Sequence, residues 1–379
     1  MKSEILNALA CLGLAACATT RPNPDGPVAL PAASIGTLAS PAVLQQGGAR
    51  HLVYELLVSS PADRAVPLVA LDADSSRPIV GPALSARVTI VTADGRVLPP
   101  ADGPIVIPPG GRGVVYLWET LAAEAPVPHA MLHQVTIASP DAPATSVAVS
   151  VPVDPTPLRV FRAPLAGNGW FAANAASNTS PHRRSLQRFP RGLTTPQRYA
   201  LDFVRIADNV GTHTGDPSVN ANYAAYGADV LAMADGVVVA VVDHIPENVP
   251  GAAAKAVAIT YATLAGNAVV VDHGGGYVAT YAHLISGRIA VAPGDRVVAG
   301  ARLGHVGNSG NSSEPHLHIH VCDAPSLLEC HGRPYGFGHF VETPIVLAPG
   351  APPQVLAPET RTDAHPVNNA VVDFGDAKP

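Results

Sequence analysis

Apolar and polar residues alternate at a period of two in a series of short runs along this chain, each bounded by Pro, Gly or an Asp-Gly pair. That is the mark of half-buried strands. In HLVYELLVS, residues Leu52, Tyr54, Leu56 and Val58 share one face; ARVTIV puts Val88 and Ile90 together ahead of the turn Asp94-Gly95; GVVYLW, HQVTIAS and TSVAVSV follow. These runs predict a β domain over residues 35–153. Val153-Asp154-Pro155-Thr156-Pro157 has the composition of a linker, because each Pro forbids continued strand pairing. A second domain is expected over 158–343, where NAVVVD and YVATYAH read as a hairpin across Gly274-Gly275-Gly276. Beyond it, residues 344–379 are rich in Pro and Ala with little periodicity, which predicts a loose tail.

Composition agrees with a mainly β fold in two domains. Charged residues are 14% of the 379, and the 39 prolines are about twice average usage, which favours short strands and turns over long charged helices. The first domain resembles a small immunoglobulin-like β-sandwich. It clusters no catalytic residue types, so its expected role is a spacer or a module that binds a regulatory protein partner. A net charge of -6, with no basic run beyond Arg183-Arg184, leaves no electrostatic footprint for nucleic acid.

The N-terminus carries its own signal. Lys2 precedes a run from Ile5 to Ala16 that is apolar apart from Asn7, too short to span a bilayer, so residues 1–17 read as an export signal. Leu14-Ala15-Ala16-Cys17 looks like a bacterial lipobox, which implies cleavage before Cys17 and lipidation of its thiol. Residues 18–34 read as a flexible tether. The mature chain would be periplasmic, anchored to a membrane by lipid, with Ala18 favouring the outer one. Of four cysteines, Cys11 leaves with the signal, and Cys322 and Cys330 remain as a disulfide candidate in an oxidising compartment.

The strongest chemical signal is Glu314-Pro315-His316-Leu317-His318-Ile319-His320-Val321. On a strand it sets His316, His318 and His320 on one face and Leu317, Ile319 and Val321 on the other. Same-face neighbours lie roughly 6 to 7 Å apart, which lets adjacent imidazoles converge on one metal or lets one bind while its neighbour reaches the bound water. His283 ends the strand pattern of YVATYAH.

In order along the chain stand Asp202 in QRYALDF, Ala234-Asp235-Gly236-Val237-Val238, Tyr281-Ala282-His283-Leu284, Gly294-Asp295-Arg296-Val297, Gly307-Asn308-Ser309-Gly310 and Pro315-His316-Leu317-His318. This set resembles the lysostaphin-type zinc metallopeptidases that cut bacterial cell-wall peptides, over about 150 residues and not over 35–153. The resemblance implies an antiparallel β catalytic domain, Zn2+ as cofactor, peptidoglycan peptides as substrate, Asp202 and His318 as zinc ligands, and His283 with His316 acting on water and on the developing oxyanion. The chemistry of the residues agrees, since catalytic zinc takes three ligands from His, Asp or Glu and keeps a fourth position for water.

One departure matters. The family's first zinc ligand lies four residues before the Asp, where this chain has Arg198, which cannot bind zinc. Either another residue supplies the ligand, with His182 in Ser180-Pro181-His182-Arg183-Arg184 the first choice, His320 the alternative and His213 a distant third, or the domain has lost zinc. In that second case it would be a degenerate, non-catalytic module that binds peptidoglycan or regulates other hydrolases. Arg183 and Arg184 are read either as contacts for carboxylates of the wall peptide or as solvated surface.

Overall fold

The computed structural model describes residues 28–29, 33–72, 78–98, 103–139, 142–207 and 211–375. Cys17, the export signal and most of the tether lie outside the described residues. None of the helices described is long and apolar enough to cross a membrane.

The first half folds into two antiparallel sheets, of seven and five strands among the described residues. The long strand Ala49–Ser59 lies at the centre of the larger sheet, paired with Arg112–Leu121, with Ser34–Thr37 and with Ala42–Gln46. Its even positions Leu52, Tyr54, Leu56 and Val58 are buried against Val135, Ile137, Val147 and Val149 of the smaller sheet. The alternation that the sequence displays is therefore the inner face of the sandwich.

Of its odd positions, Val53 and Glu55 are buried and Leu57 is half-buried. Val53 joins a core built mostly from the second half of the chain, and Leu57 packs with Val114, Tyr116, Leu186 and Leu193. Glu55, between them, is fully buried. The sandwich is thus not a detached spacer, because the outer face of its larger sheet is covered by the second half of the chain.

That second half is organised around one large sheet whose central path runs Trp170–Ala173, Leu201–Arg205, Leu317–Cys322, Val278–Leu284, Asn267–Asp272 and Gly236–Val242. These neighbours pair antiparallel. Leu317, Ile319 and Val321 turn to the core with Leu201, Phe203, Val269 and Val271, all at most 1% exposed. The opposite face of the same strands carries the polar cluster described below.

The expected loose tail does not hang free. Glu359–Ala364 pairs with Tyr335–Val346, and Ala370–Asp373 inserts between Tyr335–Val346 and Trp170–Ala173. Ala370 and Val372 are fully buried, and the buried carboxylate of Glu342 accepts both the Arg361 guanidinium and the Val367 amide. NNAVVD is too short for its period to stand out against the Pro-rich stretch before it, yet two buried apolar side chains suffice once a sheet offers an unpaired edge.

Candidate metal centre

Strand register puts the key side chains opposite each other. Asp202 pairs directly with His318 across Leu201–Arg205 and Leu317–Cys322, and Ala282 pairs with His318 on the other side. Strict alternation would turn the next residue, His283, to the opposite face; its left-handed backbone (φ 64°) brings its ring within 5.7 Å of the His318 ring instead. Directly opposed residues hold their Cβ atoms about 5 Å apart. His318 Nδ1 lies 2.9 Å from Asp202 Oδ1, His182 Nε2 lies 3.4 Å from Asp202 Oδ2, and His316 Nε2 lies 3.5 Å from Asp202 Oδ1. Among the described residues, His182, Asp202 and His318 are the one group of three whose donor atoms all lie within 4.8 Å and could hold a metal ion. They line a cleft of about 360 Å³ with His283, His316, His320, Tyr261 and Gln197.

The protonation of each ring is set by a backbone carbonyl, which can only accept. His182 Nδ1 donates to Asn174 O at 3.0 Å, His283 Nδ1 to Ser309 O at 2.8 Å, and His316 Nδ1 to Glu314 O at 2.8 Å. His320 Nε2 donates to Leu327 O at 3.1 Å, so its Nδ1 accepts from His318 Nε2 at 3.0 Å, and His318 Nδ1 is left as a lone pair facing Asp202. Bare nitrogens of three rings therefore crowd one buried carboxylate. Apart from a proton that His316 can carry toward Asp202, this arrangement of anion and lone pairs lacks a positive partner of its own and suits a cation. This is the physical test that the donor set passes for zinc, whose structural preferences are His and Asp donors in a tetrahedral array.

The same chain of bonds keeps His320 out of this group of donors, since its Nε2 is taken by Leu327 O and its Nδ1 by His318 Nε2. His213 is not part of the cluster and stacks on Tyr223 instead. Arg198 is buried and turned away: its guanidinium grips Glu55 through Nε and Nη2 and donates to Gly332 O and Thr195 Oγ1. Arg183 is neither solvated nor free for a ligand, being fully buried on Glu55, Tyr54 O and Leu117 O, and Arg184 donates to Asn178 O and Ala86 O.

Electrostatics follow burial and neighbours. Burial opposes ionisation of Asp202, yet the imidazoles of His182 and His316 outweigh it and hold its carboxyl well below the usual carboxylate range. Burial pushes His182 down to about 4 and His283 and His320 well below 6.5, the neighbouring rings adding to the effect. Burial also opposes charge on His316, but Asp202 prevails and its pKa rises.

Two supporting features escape sequence reading. Asn174, in a left-handed conformation (φ 50°), donates from Nδ2 to Asp202 Oδ2 at 2.9 Å while its carbonyl receives His182. His283 itself sits at φ 64°, uncommon for a non-glycine residue and a mark of local strain at functional positions. Its amide donates to Ala265 O, where pairing slips between Asn267 and Val269. The loop that supplies Ser309 O is closed by glycines: a Cβ on Gly310 (φ 72°) would lie 2.3 Å from Gly266 N. Cys322 and Cys330 are joined, their Sγ atoms 2.16 Å and their Cα atoms 5.8 Å apart, and close the loop that carries Leu327.

A buried carboxylate flanked by oriented histidines on the polar face of an antiparallel sheet is an arrangement a metal-dependent hydrolase can use, and residues 220–327 match Peptidase family M23. The resemblance carried by the motifs is thus borne out over the stretch that holds His283, His316, His318 and His320; His182 and Asp202 precede it. Over 146 residues the chain is 30% identical to the peptidoglycan DD-endopeptidase ShyA of Vibrio cholerae, covering 37% of this chain. The chain spans about a quarter of the length of that curated relative, 27% of it. Solved structures similar to this chain include a peptidase M23 from Pseudomonas aeruginosa (16% identity, 71% of this chain and 87% of that chain, TM-score 0.25). A zinc-containing peptidase from Vibrio cholerae is similar over 81% of this chain and 85% of that chain, at 14% identity and TM-score 0.25.

Proposed function

We propose that this protein is a zinc-dependent endopeptidase that hydrolyses amide bonds in peptidoglycan stem or cross-link peptides. His182, Asp202 and His318 would hold the ion, and His283 and His316 would serve the chemistry. The observation that carries the reading is the convergence of ring lone pairs on the buried Asp202 carboxylate, with each ring's other nitrogen tied down.

Zinc, when bound, supplies a Lewis acid for the scissile carbonyl and lowers the pKa of water to about 7. His283 presents a bare Nε2 to the cleft and is placed to accept the proton of the attacking water. His316, once protonated at Nε2, is placed to hydrogen-bond the carbonyl oxygen as it gains charge. Each such role contributes on the order of 10² or more in rate. The substrate peptide would lie in the cleft that these side chains line together with Tyr261, Asn311 and Leu327 of the surrounding loops. Peptidoglycan as substrate is supported by the relative from Vibrio cholerae. Export, lipidation at Cys17 and a periplasmic place at the outer membrane rest on the N-terminal sequence.

The non-catalytic reading, favoured by Arg198 at the usual ligand position, is decided by the same experiment. Zinc content of the purified protein is measured, and release of fragments from purified sacculi is followed for the wild type and for His318→Ala. One bound zinc with cleavage lost in the variant is expected. A wild type without zinc and without cleavage would overturn the proposal in favour of a binding module.

A further inference from the structure

The proposed ligand His182 stands on a loop that has no regular secondary structure, and the reason it holds its place lies in the other half of the chain. Its neighbour Arg183 reaches through the interface to the sandwich: Nη1 donates to Glu55 Oε1 at 2.9 Å, and Nη2 donates to Tyr54 O and Leu117 O, each at 2.9 Å. Arg183 Nε donates to Asn178 Oδ1 at 3.2 Å, and Asn178 Nδ2 in turn donates to Tyr116 O at 3.2 Å. The second oxygen of Glu55 is taken by Arg198. Glu55 is fully buried, on the odd face of a strand whose even face builds the sandwich core.

We infer that Glu55, through Arg183, is a positioning residue for His182, so that the N-terminal sandwich is an integral part of the metal centre. The inference rests on the reading of His182 as a ligand. One buried carboxylate holds two guanidiniums from the catalytic half, and both the position left by the family's usual ligand and the neighbour of its replacement are fixed by it. Without Glu55 the Arg183 cation is buried with carbonyls alone, and the loop has to rearrange to let it reach water. His182 then leaves the vicinity of Asp202. Partners that orient a metal-ligating histidine are commonly worth 10- to 100-fold in metal affinity.

The test uses the full chain and zinc itself. Zinc affinity is measured by competition with a chromogenic chelator for the wild type, Glu55→Gln, His182→Ala and the double variant, with near-ultraviolet circular dichroism recorded for each. Glu55→Gln is expected to weaken zinc binding about tenfold or more and to have no further effect once His182 is absent, the non-additivity that marks action through that residue. A folded Glu55→Gln that binds zinc like the wild type, or whose effect adds in full to that of His182→Ala, overturns the inference. Should Glu55→Gln fail to fold, Asn178→Ala, a half-buried site on the same clamp, goes through the same cycle, where wild-type affinity or full additivity again overturns the inference and non-additive weakening supports it. A wild type that binds no zinc overturns the site reading and this inference with it, whereas zinc binding that depends on His182 but not on Glu55 or Asn178 overturns this inference alone.

Discussion

Replacing His320 by leucine separates a ligand from a residue that orients one. His320 is 3% exposed, so an apolar side chain of similar size fits its site. What is lost is the acceptor for His318 Nε2, at 3.0 Å. A buried donor left unmade costs about 1–3 kcal/mol. At about 1.4 kcal/mol per tenfold, zinc affinity should fall by roughly 5- to 150-fold if the loss is expressed when the ring must present Nδ1 to the ion. Stoichiometry should stay at one ion, whereas His318→Ala should abolish binding. Both quantities come from chelator competition and from metal analysis after gel filtration. If His320→Leu loses its zinc as completely as His318→Ala, His320 is a ligand; if its affinity equals that of the wild type, the relay from Leu327 O does not set His318. Either result refutes the reasoning.

Removing the Cys322–Cys330 bond by double Ser substitution should destabilise the protein by about 2.5 kcal/mol, the loop-closure value for a loop of about nine residues. It should also weaken zinc binding, because that loop carries Leu327 O; thermal unfolding and chelator competition with and without reductant check both. Asn174→Ala removes the hydrogen bond to Asp202 Oδ2 and leaves a side chain at φ 50°, which together should cost about 2–3 kcal/mol by denaturant unfolding. Asn174→Gly, free of the backbone strain, should cost less. Burial pushes His365 down to about 4, against 6.5 when exposed, with Tyr335 O on its Nδ1. The fold thus favours the neutral ring: this stability is fully present above pH 6.5 and is lost as pH falls toward 4, by up to ~3 kcal/mol. His365→Gln should flatten that part of the pH–stability curve, and an unchanged curve would exclude His365 as its source.

The strands and the polar face of EPHLHIHV are legible in the sequence because a period of two is a local signal, and Asp202, His283, His316 and His318 because family motifs surround them. Asn174 is invisible, since nothing near it in sequence marks a lone Asn as a partner for a carboxylate 28 residues on. His320 could not be told from a ligand by spacing, which puts it on the same face as His318; the direction of its hydrogen bonds depends on the Leu327 carbonyl in a distant part of the loop. Nothing in the sequence marks Glu55, and Arg183 and Arg184 read as contacts for a peptide carboxylate or as solvated surface, because a polar residue opposite an apolar face ordinarily lies outside the core. Here a second layer covers that face, and charges that look soluble become a buried ion network. The tail strands are hidden by the prolines around them.

The arginine at the family's usual ligand position is best understood together with His182, and this gives a last prediction. Position 198 lies in the turn before Leu201–Arg205, and its side chain is spent on Glu55, Thr195 and Gly332 O. Arg198→His would break a buried ion pair from one side, leaving Glu55 with Arg183 alone, a class of change that costs about 3–5 kcal/mol. It should therefore lower stability without adding a ligand, because the geometry that serves Glu55 points away from Asp202. The decisive background is His182→Ala: if position 198 kept its ligand geometry, Arg198→His would restore the zinc affinity lost there. Failure to restore it, alongside a loss of stability of that size by denaturant unfolding, is expected. Restored binding would refute the view that Glu55 has converted a metal-binding position into an interface one, and would leave His182 a bystander.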